Sequence, residues 1–253
     1  MDKSREQKSL EEEHEKEAIR DRLLEDKKYS YLSDAVLGGI DGGVTTFAVV
    51  SGAIGGGFSS LVIIVLGFAN VIADGFSMAV SNYLGTKSRR QQVEKARSIE
   101  EHHIREIPEG EREEIRQIFL QKGFKGDILE NIVSVITKDR NRWIDTMLTE
   151  ELGLQLKGPH PFRAAISTFI AFILIGILPL LPFIFPKVAS HHAFMASSII
   201  TAVAFSGIGI IKGYVLNRSM LRSGLETLLT GGGAAILSYI VGYWIHTTFG
   251  ATL

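Results

Sequence analysis

Charge along this chain is sorted into blocks, and that sorting limits the fold more than any other feature. Of 55 Asp, Glu, Lys and Arg side chains in 253 residues, seven lie within residues 35–86 and 164–253: Asp41, Asp74, Lys187, Lys212, Arg218, Arg222 and Glu226. The other 48 are confined to residues 1–34 and 87–163. A water-soluble surface needs charge throughout the chain, so an ordinary soluble globule is excluded. Two apolar blocks flanking a charged one describe a membrane protein with an aqueous insert. The net charge of -1 excludes a nucleic-acid binder that relies on bulk charge. Cysteine is absent, which removes disulfides, thiolate metal sites and Cys nucleophiles. The first 28 residues are charged from the second position and have no apolar h-region, so they read as a polar helix or disordered arm and not as a secretory signal.

A bilayer-crossing helix needs roughly 20 mostly apolar residues. Five stretches qualify, at about residues 33–54, 60–84, 164–185, 189–211 and 225–245. The first two are joined by the turn GGGFSS and form a hairpin. Lys87, Arg89 and Arg90 follow the second span, Lys157 and Arg163 precede the third, and Lys212, Arg218 and Arg222 lie between the fourth and fifth. The opposite loops carry only Lys187. By the positive-inside rule the N-terminus and the insert are cytosolic and the C-terminus emerges on the far side. Gly38/Gly42 and Gly39/Gly43 suit close helix packing. Pro179, Pro182 and Pro186 bend or end the third span.

The expected fold is therefore all-α and polytopic, with five transmembrane helices and a cytosolic helical insert between helices 2 and 3. Its parts are an N-terminal arm (1–30), transmembrane helices 1–2 (31–86), the insert (87–162) and transmembrane helices 3–5 (163–253). Within the insert, 86–106 continues from span two without Gly or Pro, and Pro108 breaks it. EGEREEIRQIFLQKG follows, with Ile115, Ile118 and Phe119 at helical spacing and Gly123 as a stop. GDILENIVSVITKD is the next helix, with Asp127 as N-cap, and RNRWIDTMLTEELGL the last.

Charge inside a span costs on the order of 2.5–3.5 kcal/mol on insertion scales, so it marks function. Asp41 lies in span one and Asp74 in span two, where Asn70, Asp74 and Met78 share a helix face at i, i+4, i+8. Oxygen ligands with a thioether suit a divalent transition metal. Simpler roles stand beside this one: Asp41 in IDGG also suits the cap of a broken helix, Asp74 a structural hydrogen bond, and Met78 packing. In the insert, Glu100-x-x-His103 sets a carboxylate and an imidazole on one face, the spacing used by di-iron carboxylate bundles. Glu111-x-x-Glu114 repeats the spacing, and Met147, Glu150 and Glu151 fall within one turn. Such clusters on three short helices hold divalent cations through oxygen, while the interleaved Arg97, Arg105, Arg112 and Arg116 suit a salt-bridged surface instead. Glu94, Glu106 and Glu113 are expected in solvent, and His191/His192 read as an ordinary loop. No GxxxxGK[ST], GxGxxG, GxSxG or HExxH motif occurs, which argues against an ATP-driven pump and against the matching hydrolases.

DAVLGGIDGGVTTFAVVSGA, ANVIADGFSMAVSNYLGTKSR, IPEGEREEIRQIFLQKG and WIDTMLTEELGL together resemble the vacuolar iron transporter family, over about residues 31–250. The resemblance implies a homodimeric secondary transporter, not an enzyme, that moves Fe2+ and often Mn2+ out of the cytosol in exchange for protons. The metal is cargo bound transiently, with no prosthetic group, and its path lies at the dimer interface. The membrane is the plasma membrane in a bacterium or the vacuolar membrane in a eukaryote. Carried onto this chain, the resemblance makes Asp41 and Met78 path residues and Glu100, Glu111, Glu114, Glu151 and Met147 metal ligands of the insert. The chain departs from the family in several places. Asn70 stands where plant-like members have Glu, with Asp74 one turn on as a replacement carboxylate. His103 stands at a carboxylate position, with Glu101 as the alternative register. Leu148 replaces a methionine. The alternative function is a membrane-anchored, ferritin-like metal-binding or sensing protein without transport.

Overall fold

The structure, a computed structural model, describes residues 11–12, 14–24, 29–185, 189–215 and 217–250. All regular structure among them is helical. The chain divides into two compact units, Met1–Ser30 and Tyr31–Leu253. Among its described residues the first includes the short, charged helix α1 (Lys16–Leu24).

The second unit has five helices long and apolar enough to cross a membrane. They are α2 (Leu32–Gly55), α3 (Ser60–Glu106), α7 (Pro161–Gly176, continued by a 3-10 segment Leu178–Ile184), α8 (Ser190–Val215) and α9 (Met220–Phe249). Between α3 and α7 lie α4 (Pro108–Gln121), α5 (Gly126–Thr137) and α6 (Arg140–Thr146), the last running into a π-helical turn at Met147–Glu151. The outer faces of the long helices are apolar and exposed, as at Leu61 (70%) and Leu221 (84%), which is what a lipid solvent selects.

Packing in lipid cannot rely on the hydrophobic effect, so it relies on close backbone approach. α2 is the central helix and touches α9, α7, α3 and α8. A Cβ at Gly38 would lie 2.3 Å from the Thr168 carbonyl oxygen, and one at Gly42 would lie 2.4 Å from that of Phe172. α7 thus rests its backbone on the glycine stripe of α2. Both glycine pairs of the sequence face neighbours in this way, with Gly43 against Phe205 of α8. Toward the far end, Val50, Ala53, Ile63, Val71, Leu180, Phe183 and Ala193 form the buried cluster.

The helix α3 runs unbroken for 47 residues, about 70 Å at 1.5 Å per residue, and so carries the insert away from the bundle on one rigid rod. Pro108 opens α4 at its first turn, where a missing N–H costs nothing. Leu129, Val133 and Ile136 of α5 repeat at i, i+4, i+7 and close a core with Ile115, Trp143 and Met147. Each such side chain contributes roughly 1.5–3 kcal/mol when fully buried.

Three sequence readings need correction. Asp127 is not an N-cap: Lys125 takes that place, and Asp127 sits inside the first turn of α5. Gly126 begins that helix at φ 61, so chain reversal at KG, not a side-chain cap, starts it. The cap that does form is Asp139, which accepts from the backbone N–H of Asn141 (3.0 Å) and Arg142 (3.2 Å). The broken-helix role of Asp41 also fails, because α2 is continuous through IDGG. Third, His191 and His192 do not form a loop but lie in the first turn of α8. Span three reaches Ile184, close to the expected 185, and its α-helical part ends at Gly176. Pro179 and Pro182 lack the N–H groups an α-helix needs, and the chain tightens to 3-10. Pro186, the third of these prolines, lies outside the described residues, as do Lys187 of the same loop and half of the N-terminal arm.

Candidate metal sites in the insert and the membrane

The last turns of α3 and the first turn of α4 meet because Ile107–Pro108 folds the chain back on itself. That turn brings Glu100, His103 and Glu111 together, with one ligand atom of each within 4.8 Å of the others. His103 Nδ1 is 3.3 Å from Glu111 Oε1. Glu100 and Glu111 are buried, at 5% and 4% exposure, while about half of the His103 side chain is open. Glu111 Oε2 is buried with no hydrogen-bond partner.

Electrostatics mark the group as short of positive charge. Burial, reinforced by Glu114 and Glu100, pushes the Glu111 carboxyl up to about 7. Burial also raises Glu100, with His103 opposing the shift and Glu114 adding to it. Glu151 is raised by burial and then by Glu114 and Glu100. Four carboxylates and one imidazole therefore act on one another across α3, α4 and the π turn. Their donor set fits a divalent transition cation, whose positive charge would offset the crowding of carboxylates there.

The remaining insert residues fall elsewhere. Glu150 pairs with Lys122 and faces solvent. Glu101 uses its backbone carbonyl to accept from Arg140 (3.4 Å). Met147 is fully buried in the insert core, and Leu148 is fully buried beside it in sequence. Part of the salt-bridged alternative also holds: Arg116 engages Glu113 and Glu130, and Arg97 engages Asp145. Hydrogen bonds from Gln117 and Arg116 hold Glu113 below the usual carboxylate range. These two arginines are thus engaged by outer carboxylates, away from the Glu100–His103–Glu111 group.

In the membrane, Asp41 of α2 is partly buried, and Asp74 of α3 is close enough to act on it electrostatically. Asp74 itself is exposed on the outer face of α3, beside exposed Ile72 and Phe76. Asn70 and Met78 are half-buried one turn either side, and Asn70 Nδ2 is buried without a partner. His191 and His192 open α8 at the far end with their rings edge to face, 5.9 Å apart.

A third polar group escaped the sequence reading. Asn82 Nδ2 donates to Asp34 Oδ1 and to Thr168 Oγ1, both at 2.8 Å. Thr86 Oγ1 donates to Asn82 Oδ1 at 3.3 Å. Its signal was present: the spacing of four that links Asn70, Asp74 and Met78 continues to Asn82 and Thr86. Asp34 falls one residue outside the low-charge block 35–86 and so was not counted among the charges of the spans.

A family model described as the VIT family matches residues 32–243. Among curated relatives, vacuolar iron transporter 1 of Eucalyptus grandis is 32% identical, over 86% of this chain and 90% of its own length. Vacuolar iron transporter 1 of Arabidopsis thaliana is 33% identical, over 81% of this chain and 82% of its own. The vacuolar iron transporter of Toxoplasma gondii is 29% identical, over 88% and 77%. Matches of this extent take in all five long helices and the insert, and the chain belongs to the VIT family.

Proposed function

We propose that this chain is a secondary transporter, not an enzyme, that moves divalent iron, and manganese with it, out of the cytosol in exchange for protons. The observation that carries the reading is the proximity of two carboxylates, Asp41 and Asp74, within the apolar membrane-spanning stretches of α2 and α3. A charge in that setting is costly and is kept for an ion path.

Asp74 lies on an exposed face, and a bare carboxylate facing lipid is unstable. A second copy of the chain across α3 would cover it and bring a second Asp41, Asn70, Asp74 and Met78 to the same path. Met78 offers a soft thioether to a partly dehydrated Fe2+, and the carboxylates offer charge. The Glu100–His103–Glu111 group, with Glu114 and Glu151, gathers hydrated cations before the path. In the orientation set by the positive-inside rule, the insert is cytosolic and the far ends of α2 and α3 open to the other compartment. The names of the relatives favour a vacuolar membrane in a eukaryotic cell; in a bacterium the plasma membrane takes that place. Bound metal is cargo, and no prosthetic group is needed.

Proteoliposomes holding a metal-quenched dye test this. Fe2+ or Mn2+ added outside should quench wild-type vesicles, more strongly with an opposing proton gradient, and Asp41→Ala should be silent. Flux unchanged in Asp41→Ala removes Asp41 from the path. The meeting of Glu100-x-x-His103 with Glu111 also fits a ferritin-like metal binder. Metal bound by the full chain with no flux in either membrane orientation would select that reading.

A further inference from the structure

Asp34 is a carboxylate of the membrane bundle that the metal path does not use. It is buried, at 9% exposure, near the insert-side end of α2. One oxygen accepts from Asn82 of α3, and the other, Oδ2, is buried with no hydrogen-bond partner. Thr168 of α7 accepts from the same amide, and its hydroxyl lies 3.3 Å from the Asp34 carbonyl and 3.1 Å from that of Ala164. Three helices are thus joined at one carboxylate. Among the described residues no ion pair reaches it. The charged and titratable groups at this end of the packed helices are Tyr31 and Asp41 on α2, and Tyr83 and Lys87 on α3. His160 and Arg163 stand at the start of α7, Lys212 and Tyr214 on α8, and Arg222 with Glu226 on α9. Lys87 lies over the Tyr83 ring, the Tyr31 hydroxyl accepts from the backbone N–H of His160, and Arg222 pairs with Glu226.

A buried carboxylate with one donor and one bare oxygen is an expensive arrangement for a permanent charge. A metal ion is poorly served there, because the Asn82 N–H group points at the carboxylate and repels a cation. The Thr86 hydroxyl fixes the amide that way round. A proton needs no coordination shell: it adds to Oδ2, forms one O–H bond, and leaves by the reverse step, with water as donor and acceptor.

The location connects this group to the path. Asp34 and Asp41 are seven residues apart, two turns along one face of α2. Asn82 is four residues from Met78 on the same stripe of α3. Charge-assisted hydrogen bonds are about twice as strong as neutral ones. Neutralising Asp34 therefore loosens its hold on Asn82 and frees α3 to shift against α2 one layer from the metal ligands. We infer that Asp34, held by Asn82 and Thr168 between α2, α3 and α7, is the proton-carrying site of the exchanger, separate from the metal ligands. This rests on the proton exchange proposed above.

The test uses the full chain in proteoliposomes, reading Fe2+ or Mn2+ entry and internal pH together. Asp34→Asn keeps the shape and the hydrogen-bonding atoms of the node but cannot titrate. It should pass metal down its gradient while coupled proton movement falls at least tenfold and flux stops responding to an imposed pH gradient; Asp34→Glu should restore the response. Asn82→Ala removes the amide through which the Asp34 carboxylate holds α3, so it should weaken the response of metal flux to an imposed pH gradient at least tenfold. Retained proton coupling in Asp34→Asn overturns the inference, and so does a wild-type response to the pH gradient in Asn82→Ala if Asp34→Asn does not fold. Equal loss of metal and proton flux in folded Asp34→Asn also overturns it, by making Asp34 a structural node. A sodium gradient that replaces the proton gradient does so too. Wild-type metal flux without proton movement overturns the exchange reading along with it, whereas coupled wild type with coupled Asp34→Asn sinks this inference alone.

Discussion

Glu111→Gln separates the cost of the insert's acidic cluster from its use. The Glu111 carboxyl is raised from 4.5 to about 7, first by burial and then by Glu114 and Glu100. At 1.36 kcal/mol per pH unit this corresponds to roughly 3 kcal/mol. The site is open to solvent past His103, and screening there brings the expected effect to about 2 kcal/mol. The sign comes from proton counting. Between pH 4.5 and 7 the folded chain holds a proton on Glu111 that the unfolded chain has released. Its contribution is complete below 4.5 and is lost as pH rises through 7. Gln is permanently uncharged, so Glu111→Gln should match wild type below pH 4.5 and exceed it by about 2 kcal/mol at pH 8. Trp143 is buried in the insert core and reports that melt by fluorescence, in a Trp244→Phe background that silences the other tryptophan. Metal reverses the order: Mn2+ or Co2+ at pH 8 should stabilise wild type and leave Glu111→Gln almost unmoved. A variant no more stable than wild type at pH 8, or equally stabilised by metal, would refute the argument.

Three further outcomes rest on the same geometry. Gly42→Ala places a Cβ 2.4 Å from the Phe172 carbonyl oxygen, so α2 and α7 must separate; a loss of about 1–3 kcal/mol is expected in detergent melts. His103→Glu exchanges the one nitrogen ligand for oxygen and should shift binding from Fe2+ and Co2+ toward Mn2+ in competition titrations, because nitrogen favours the later metals. Arg116→Ala should melt close to wild type and leave metal binding intact, since its pairs with Glu113 and Glu130 are exposed and screened by solvent.

A single physical divide separates the features that the sequence disclosed from those it hid. The five long helices were legible because lipid forces each span to satisfy its own backbone and to show apolar side chains outward, and both demands are local. The breaks at Pro108 and Gly123 were legible for the same reason, since Pro lacks an N–H and Gly123 takes φ 96. The separation of Glu150 from Glu151 was not, because the π turn at Met147–Glu151 adds a residue to one turn and rotates the side chains beyond it. Glu151 feels the charges of Glu114 and Glu100, while Glu150 meets Lys122. Asp34 was hidden more deeply, since its surroundings include Thr168, 134 residues away.

The stripe Asn70, Asp74, Met78, Asn82, Thr86 shows how much a period alone carries. Each step of four residues turns by about 400° on a 3.6-residue helix, a drift of about 40° per step. From Asp74 to Thr86 the stripe therefore rotates by about 120°. Asp74 accordingly faces outward, exposed, while Thr86 faces the bundle at 3% exposure, with Met78 and Asn82 between. One helix thus presents a carboxylate and a thioether toward an outer face and a hydrogen-bonded polar node to the interior. The two are adjacent because the helix is continuous, and they differ in chemistry because it turns. A rigid α3 of 47 residues, rooted in the insert, transmits any rotation of one layer to the other.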